Sequence, residues 1–220
     1  MSGDLRRHVP QQSYAGLYRF QWLYLPVLYG LLGVLTRVQD VLETYFRRMS
    51  GPVRVNYYGP ALLRLVAPKL LWLAYRVLLP LLYLGVPPRT FWPCFVVWEL
   101  STGFYLAWNF EVSHVADTVE WPVGAPHLPR SWAASQVATG VDYAHGSWAA
   151  AWWSGALNYQ IEHHLFPGVS QYHYPAIAGI VKAAAEEFKI PYRLEPSFWA
   201  AWKAHVRHLY ALGQDGKKAA

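Results

Sequence analysis

The residues best placed to do chemistry lie in the run Asn158-Tyr159-Gln160-Ile161-Glu162-His163-His164-Leu165-Phe166-Pro167-Gly168. On a helix, Gln160 falls three and four residues before His163 and His164, so one amide and two imidazoles project from neighbouring turns toward one volume. Paired imidazoles at that spacing suit a transition metal such as iron, zinc or copper. Glu162 points elsewhere and is placed to orient a ligand's second nitrogen from outside, with Asn158 another candidate for such a supporting role. The spacing leaves a plainer reading open, in which two adjacent histidines cap a helix before the Leu165-Phe166-Pro167 break. His114 ends a long apolar stretch in Asn109-Phe110-Glu111-Val112-Ser113-His114. An imidazole there is costly in lipid and tends to face a cavity or a partner, the alternative being an interfacial histidine in water. His145 and His173 read as polar loop residues. His205 and His208 share a helix face with Lys203 and Arg207 beside them, which reads as a solvated face and leaves both outside the candidate site.

Other chemistries find no footing. The chain has no His-Glu-x-x-His helix, no Gly-rich phosphate loop and no Gly-x-Ser-x-Gly elbow, which sets aside zinc proteolysis, phosphoryl transfer and serine hydrolysis. A single cysteine, Cys94, excludes an internal disulfide and a Cys-rich zinc module, so any metal is held by histidine and carboxylate.

The elements that position these side chains are written in the composition. Of 220 residues, 54% are hydrophobic and 17% aromatic, including 12 Trp, 16 Tyr and 9 Phe. Only 15% are charged, well below the roughly 25% usual for soluble domains. A disordered tail is excluded and a membrane-embedded or membrane-lying protein is indicated. The net charge of +6 is scattered around apolar segments instead of forming a dense run, which fits membrane-flanking cations and not nucleic acid. Met1 to Pro10 carries Arg6 and Arg7 without a small-residue cleavage site after a compact apolar core, so no cleaved signal peptide is expected.

Three apolar stretches follow. Phe20 to Val38 is just long enough to cross a bilayer, with Pro26 set to kink it. Leu62 to Leu84 carries Lys69 and Arg76, which lie on one side of a helix and must snorkel or face protein. Phe91 to Phe110 has only Glu99 as an interior charge, with Trp92, Trp98 and Trp108 along it, as suits a spanning helix. Gly85-Val86-Pro87-Pro88 reads as a hairpin turn between the last two. Gly51-Pro52 and Tyr58-Gly59-Pro60 punctuate the loop from Arg47 to Ala61. Arg37, Arg47, Arg48 and Arg54 cluster on that side and place the loop in the cytoplasm. Beyond Glu111, Pro122, Pro126 and Pro129 mark loop, Ser131 to Ser154 reads as a helix rich in Trp and Ala, and Tyr174 to Phe188 reads as an amphipathic helix with Pro175 in its first turn. Ala211 to Ala220 reads as a frayed basic tail. The expectation is an all-α protein with two or three membrane helices, a membrane hairpin region over about 17–110 and a helical cytoplasmic cap over about 111–210.

The run Gly155 to Pro167 resembles the third histidine box of membrane fatty-acid desaturases, in particular the front-end group in which Gln replaces the first His of His-x-x-His-His. Val112-Ser113-His114 resembles that family's extra ligand near the end of its last membrane helix. Val141 to Trp148 is similar to the segment leading into the third box, and Tyr18 to Asp40 to the helix after the second, so the resemblance covers nearly the whole chain. It implies a di-iron centre that activates dioxygen to remove hydrogens from neighbouring acyl carbons, with electrons from cytochrome b5. It also implies an integral membrane protein of the endoplasmic reticulum with membrane lipid and a fatty acyl substrate as partners. Carried over by position, His114, His163 and His164 are iron ligands and Gln160 fills the substituted box position. The boxes His-x-x-x-His and His-x-x-His-His are absent, since His8 is the only histidine before His114, and so is a fused cytochrome b5 domain with its His-Pro-Gly-Gly motif. The chain therefore resembles the C-terminal half of a desaturase, a partial domain over 1–220 with an incomplete di-iron site that is expected to be inactive alone. The alternative is a non-catalytic lipid-binding or assembly partner derived from a desaturase.

Overall fold

The apolar runs fold as helices, and proline and glycine decide where several of them break. The computed structural model describes residues 5–9, 11–43, 49–50, 53–54, 59–121 and 131–214. Among these the chain is mostly helical with two minimal two-stranded sheets, in accord with the all-α expectation. It divides into two compact units, Met1–Leu28 with Ala107–Ala220, and Tyr29–Leu106.

The first apolar stretch is not one membrane-length helix. It runs as a 3-10 turn (Gly16–Phe20), helix α1 (Gln21–Leu28), a second 3-10 turn (Tyr29–Leu31) and helix α2 (Leu32–Val41), with Pro26 inside α1 and the break following within a turn.

In the second unit, β1 (Met49–Ser50) pairs antiparallel with β2 (Val53–Arg54). Of the expected basic loop, Arg47, Arg48, Gly51, Pro52 and Tyr58 lie outside the described residues, as do Pro122, Pro126 and Pro129 further on. Helix α3 (Pro60–Leu73) starts with proline in its first turn and continues as a π-helix over Ala74–Tyr83. Pro80, inside that π-helix, has no N–H and its ring would clash with the carbonyl four residues back, a conflict that wider winding relieves. Leu62–Tyr83 is the one helix among the described residues long and apolar enough to cross a membrane, 22 residues with mean hydropathy 1.6 and none of it buried. Leu63, Leu70, Leu71 and Leu82 all face outward. Helix α4 (Pro88–His114) follows the Gly85-Val86-Pro87 turn and is 27 residues long, but Trp, Tyr, Ser, Thr and Glu99 dilute its apolar character.

Lys69 and Asp40, and Arg37 and Glu99, pair within this unit, and Arg76 lies on an aromatic ring. Lys69 Nζ lies 2.7 Å from Asp40 Oδ2, and Arg76 sits 4.1 Å over the Trp98 ring. Arg37 pairs with the buried Glu99 and lies 4.5 Å over Trp72. Where Gly30 meets Gly103 of α4, a Cβ at position 103 would land on the Gly30 carbonyl, so the two backbones approach as only glycine allows.

In the first unit, the stretch read as one Trp- and Ala-rich helix is corrected to two. Helix α5 (Trp132–Ala138) and helix α6 (Trp148–Ser154) each begin at a serine N-cap, Ser131 accepting from Ala134 N and Ser147 from Ala150 N. Between them β3 (Asp142–Tyr143) pairs parallel with β4 (Leu194–Glu195), Asp142 opposite Leu194. Gly155, at φ 60°, ends α6 in the left-handed conformation. Helix α7 (Gln160–Leu165) carries the histidine pair, and helix α8 (Tyr174–Glu187) forms as expected.

Helix α9 (Phe198–Gln214) corrects two further readings. Ala211 to Gln214 are helical rather than frayed, residues 215–220 of the expected tail lying outside the described residues, because the N-terminal segment supplies donors to carbonyls at the end of α9. The Arg7 guanidinium donates to Leu212 O (2.9 Å), Tyr14 Oη to Gly213 O (3.0 Å) and Gln21 Nε2 to Leu209 O (2.8 Å). The face bearing His205 and His208 is not solvated. His205 is buried and donates from Nδ1 to Val115 O (2.6 Å), while His208 stacks on Trp121 at 5.4 Å and reaches His8 O. Burial lowers both pKa values. A charged neighbour in sequence did not mean an exposed face, because other segments wrap α9.

Candidate metal centre

Helix α7 has six residues, too few to persist unaided. Its order comes from what surrounds it. Ile161 is fully buried with Val137 of α5 and Val181 and Ala185 of α8. Before its first turn, Tyr143 N donates to Asn158 O (3.0 Å) and Asn158 Nδ2 donates back to Tyr143 O (3.1 Å), so the approach to α7 is tied to β3. Ser154 Oγ adds a contact to Asn158 Oδ1 at 3.2 Å. Asn158 therefore supports the backbone and touches no imidazole through these bonds.

The structure brings His114, His163, His164 and Gln160 together from α4 and α7. The His114 and His164 rings stack with centroids 5.0 Å apart and planes 23° apart, and the His163 ring lies 6.0 Å from that of His164. Gln160 Nε2 meets His164 Nε2 at 2.9 Å. His163 Nδ1 lies 3.4 Å from the Tyr174 hydroxyl. Burial, reinforced by the other two imidazoles, pushes the His164 pKa down to about 4, and burial also lowers that of His114. Both rings are thus neutral donors near pH 7. Gln160 Oε1 and His164 Nδ1 are buried with no hydrogen-bond partner among the described residues. Orphaned polar atoms beside clustered neutral imidazoles are the donor chemistry of a transition-metal site. Three imidazoles and one amide fit that chemistry.

Glu162 does not orient an imidazole. It is fully buried, and its Oε1 lies 2.9 Å from the Tyr192 hydroxyl, which lies 2.6 Å from Asp142 Oδ2. Burial and the adjacent Asp142 push the Glu162 pKa up to about 8. The Tyr192 hydroxyl is the donor facing both carboxyls, and with its raised pKa Glu162 is mostly protonated at neutral pH. His145 Nε2 completes the group 2.9 Å from Asp142 Oδ2, with its ring stacked on Tyr159 at 4.3 Å. His145 is therefore a partner of Asp142 rather than a free loop residue. Asp142, His145 and Glu162 offer donor atoms within 4.8 Å of one another, a spacing that could hold a cation. The Tyr192 hydroxyl bridges the two carboxyls, while Glu162 Oε2 is buried with no hydrogen-bond partner among the described residues. Asp142, Tyr174 and Tyr192 went unnoticed in the sequence; the parallel β3–β4 pairing that brings residues 142 and 192 together has no local sequence signal.

Comparison with known proteins gives a consistent set of relatives. The family model described as fatty acid desaturase matches residues 2–196. An acyl-lipid (8-3)-desaturase of Mortierella alpina is 38% identical over 218 residues, covering 98% of this chain and 48% of that protein. An acyl-lipid (8-3)-desaturase of Physcomitrium patens is 41% identical over 212 residues, 96% of this chain and 44% of that protein. An sn-1 linoleoyl-lipid 6-desaturase of Synechocystis sp. is 31% identical over 212 residues, 94% of this chain and 59% of that protein. The chain spans about half the length of the first two relatives. No solved structure matches it.

Proposed function

The chain belongs to the fatty acid desaturase family, and on that premise we propose that it carries the third-box part of a front-end desaturase, which introduces a double bond into an acyl chain with dioxygen. The observation that carries this reading is the convergence of His114, His163 and His164 beside Gln160, with His114 and His164 held neutral by burial. In this assignment the three imidazoles hold iron and Gln160 stands in the substituted box position. When bound, the iron pair supplies the dioxygen activation that takes hydrogens from neighbouring acyl carbons, with cytochrome b5 as electron donor. The chain's own residues do the positioning. Tyr174 is placed to fix the His163 ring through Nδ1, and Ile161 seats α7 in the core. The remaining ligands come from the first two histidine boxes, which these 220 residues do not contain.

The substrate in this reading is a lipid-linked acyl chain, in keeping with the names of the relatives, and the protein is integral to a membrane, that of the endoplasmic reticulum. The unburied apolar helix Leu62–Tyr83 supports membrane insertion, with α4 as the second leg of a hairpin. So do Trp148, Trp152 and Trp153, exposed together on α6, since tryptophan favours the membrane–water boundary.

The test is iron content and fatty-acid profile in a host fed polyunsaturated acyl precursors. The 220-residue chain alone is expected to hold fewer than two irons and to make no new double bond. Co-expression with the N-terminal half of the Physcomitrium patens relative is expected to yield unsaturated product, and His114→Ala, His163→Ala or His164→Ala to abolish it with membrane insertion intact. Product formation surviving His163→Ala would overturn the ligand assignment. Two irons and new double bonds from the chain alone would overturn the need for further ligands.

A further inference from the structure

A six-residue helix that carries two ligand imidazoles needs its orientation set from outside, and one side chain is placed to set it. Asp142 is fully buried. Its Oδ1 accepts from Ile161 N at 2.9 Å, satisfying one of the free amides in the first turn of α7 from nineteen residues away. A helix normally receives that bond from its own N-cap side chain, and Tyr159 at the N-cap position of α7 makes none. Asp142 Oδ2 is gripped on the other side by Tyr192 at 2.6 Å and His145 at 2.9 Å. The strand beneath the carboxylate is held separately. Asp142 N donates to Arg193 O and Ala144 N to Glu195 O, so β3 stays paired with β4 whatever side chain stands at position 142.

We propose that Asp142 is the positioning residue of the histidine helix: a cap supplied from β3, nineteen residues away in the same chain, that fixes the start of α7 and with it the directions of His163 and His164. Tyr192 and His145 hold the Asp142 carboxylate in the one rotamer that reaches Ile161 N. The inference rests on the reading of His163 and His164 as metal ligands only for its consequence at the metal; the cap itself stands on the hydrogen bonds. A buried carboxylate with both oxygens engaged has little rotational freedom, which is what a positioning group requires.

The experiment uses the 220-residue chain in detergent, with Co²⁺ as the metal probe and hydrogen exchange followed by peptide. Asp142→Ala removes the cap. Exchange in the peptide spanning 158–166 is expected to rise about tenfold while a peptide within α9 stays protected as before. Co²⁺ affinity is expected to fall by about tenfold or more, the usual effect of losing a group that orients a ligand. Asp142→Asn keeps an oxygen facing Ile161 N and is expected to restore both values. A merely structural role for Asp142 would loosen α9 as much as α7, and that result overturns the proposal. So does an Asp142→Asn chain as impaired as Asp142→Ala, or an Asp142→Ala chain with unchanged exchange over 158–166. If Asp142→Ala does not fold, Asp142→Asn against Tyr192→Phe decides: wild-type protection over 158–166 in the first and faster exchange in the second supports the cap, and the reverse overturns it. A wild-type chain that binds no Co²⁺ counts against the ligand reading alone, because the exchange measurement still decides the cap.

Discussion

At the scale of single residues, the first unit sets two titrations against each other beside the candidate metal centre. Glu162 has its pKa raised from an ordinary 4.5 to about 8 by burial and by Asp142. A raised carboxyl pKa means that the folded chain binds a proton the unfolded chain releases. The stability this contributes is complete below about pH 4.5 and is lost as pH rises toward 8. His164 behaves oppositely: with its pKa lowered from 6.5 to about 4, the fold loses stability as pH falls across that range. Glu162→Gln, which preserves size and the contact to Tyr192, is therefore expected to remove the loss on the alkaline side, of slope ~1.4 kcal/mol per pH unit, and to leave the acid side unchanged. Thermal midpoints of the two chains from pH 5 to 8 check this. Parallel curves would show that Glu162 is not the titrating group.

At the scale of elements, helices here are joined by close backbone approach and by caps that composition hides. The contact between Gly30 and Gly103 has no room for a side chain. Gly103→Val is expected to force α4 away from the Tyr29–Leu31 turn and to lower stability in detergent by about 2 kcal/mol, the usual range for overpacking a tight contact. A thermal midpoint equal to wild type would mean that the two backbones do not meet. Serine caps at Ser131 and Ser147 were legible in principle, since each stands just before an apolar helical run, yet the Trp- and Ala-rich composition masks the break that Gly140, β3 and Gly146 impose between them.

For the whole molecule, the exposed apolar surface of the second unit supports the proposed membrane setting. Leu70, Leu71, Leu78, Leu79, Leu82 and Tyr83 are open on the apolar helix, an exposed face that water disfavours and hydrocarbon accepts. Cys94, exposed on α4, reports on this directly. In sealed membrane vesicles from either orientation it is expected to resist a charged, impermeant maleimide and to react once detergent is added. Introduced cysteines at Arg54 and Ala149 are expected to label from the same, cytoplasmic side, because the arginine bias of the loop and the proposed metal centre's need for a cytoplasmic electron donor agree. Rapid labelling of Cys94 in intact vesicles would remove the membrane reading of α4, and labelling of the other two from opposite sides would remove the topology.

By itself the sequence determined the helical class, the apolar helix from residue 62, the helix from Tyr174, and Gln160, His163 and His164 as neighbours on one short motif, while His114 joined them through the family resemblance. Each rests on short-range periodicity or on a contiguous motif, and neighbours along a helix are neighbours in space. The sequence left Lys69 and Arg76 either to snorkel or to face protein, and the structure pairs them with Asp40 and Trp98. What only the tertiary structure decided was which distant groups support the motif. Glu162 turned to Tyr192 and not to an imidazole, His205 was buried against Val115 and His208 half-buried between Trp121 and His8, and Asp142 reached Ile161 across nineteen residues. Those outcomes depend on a parallel two-residue strand pair and on the packing of α5, α7 and α8, and such long-range contacts leave no period or spacing along the chain to read.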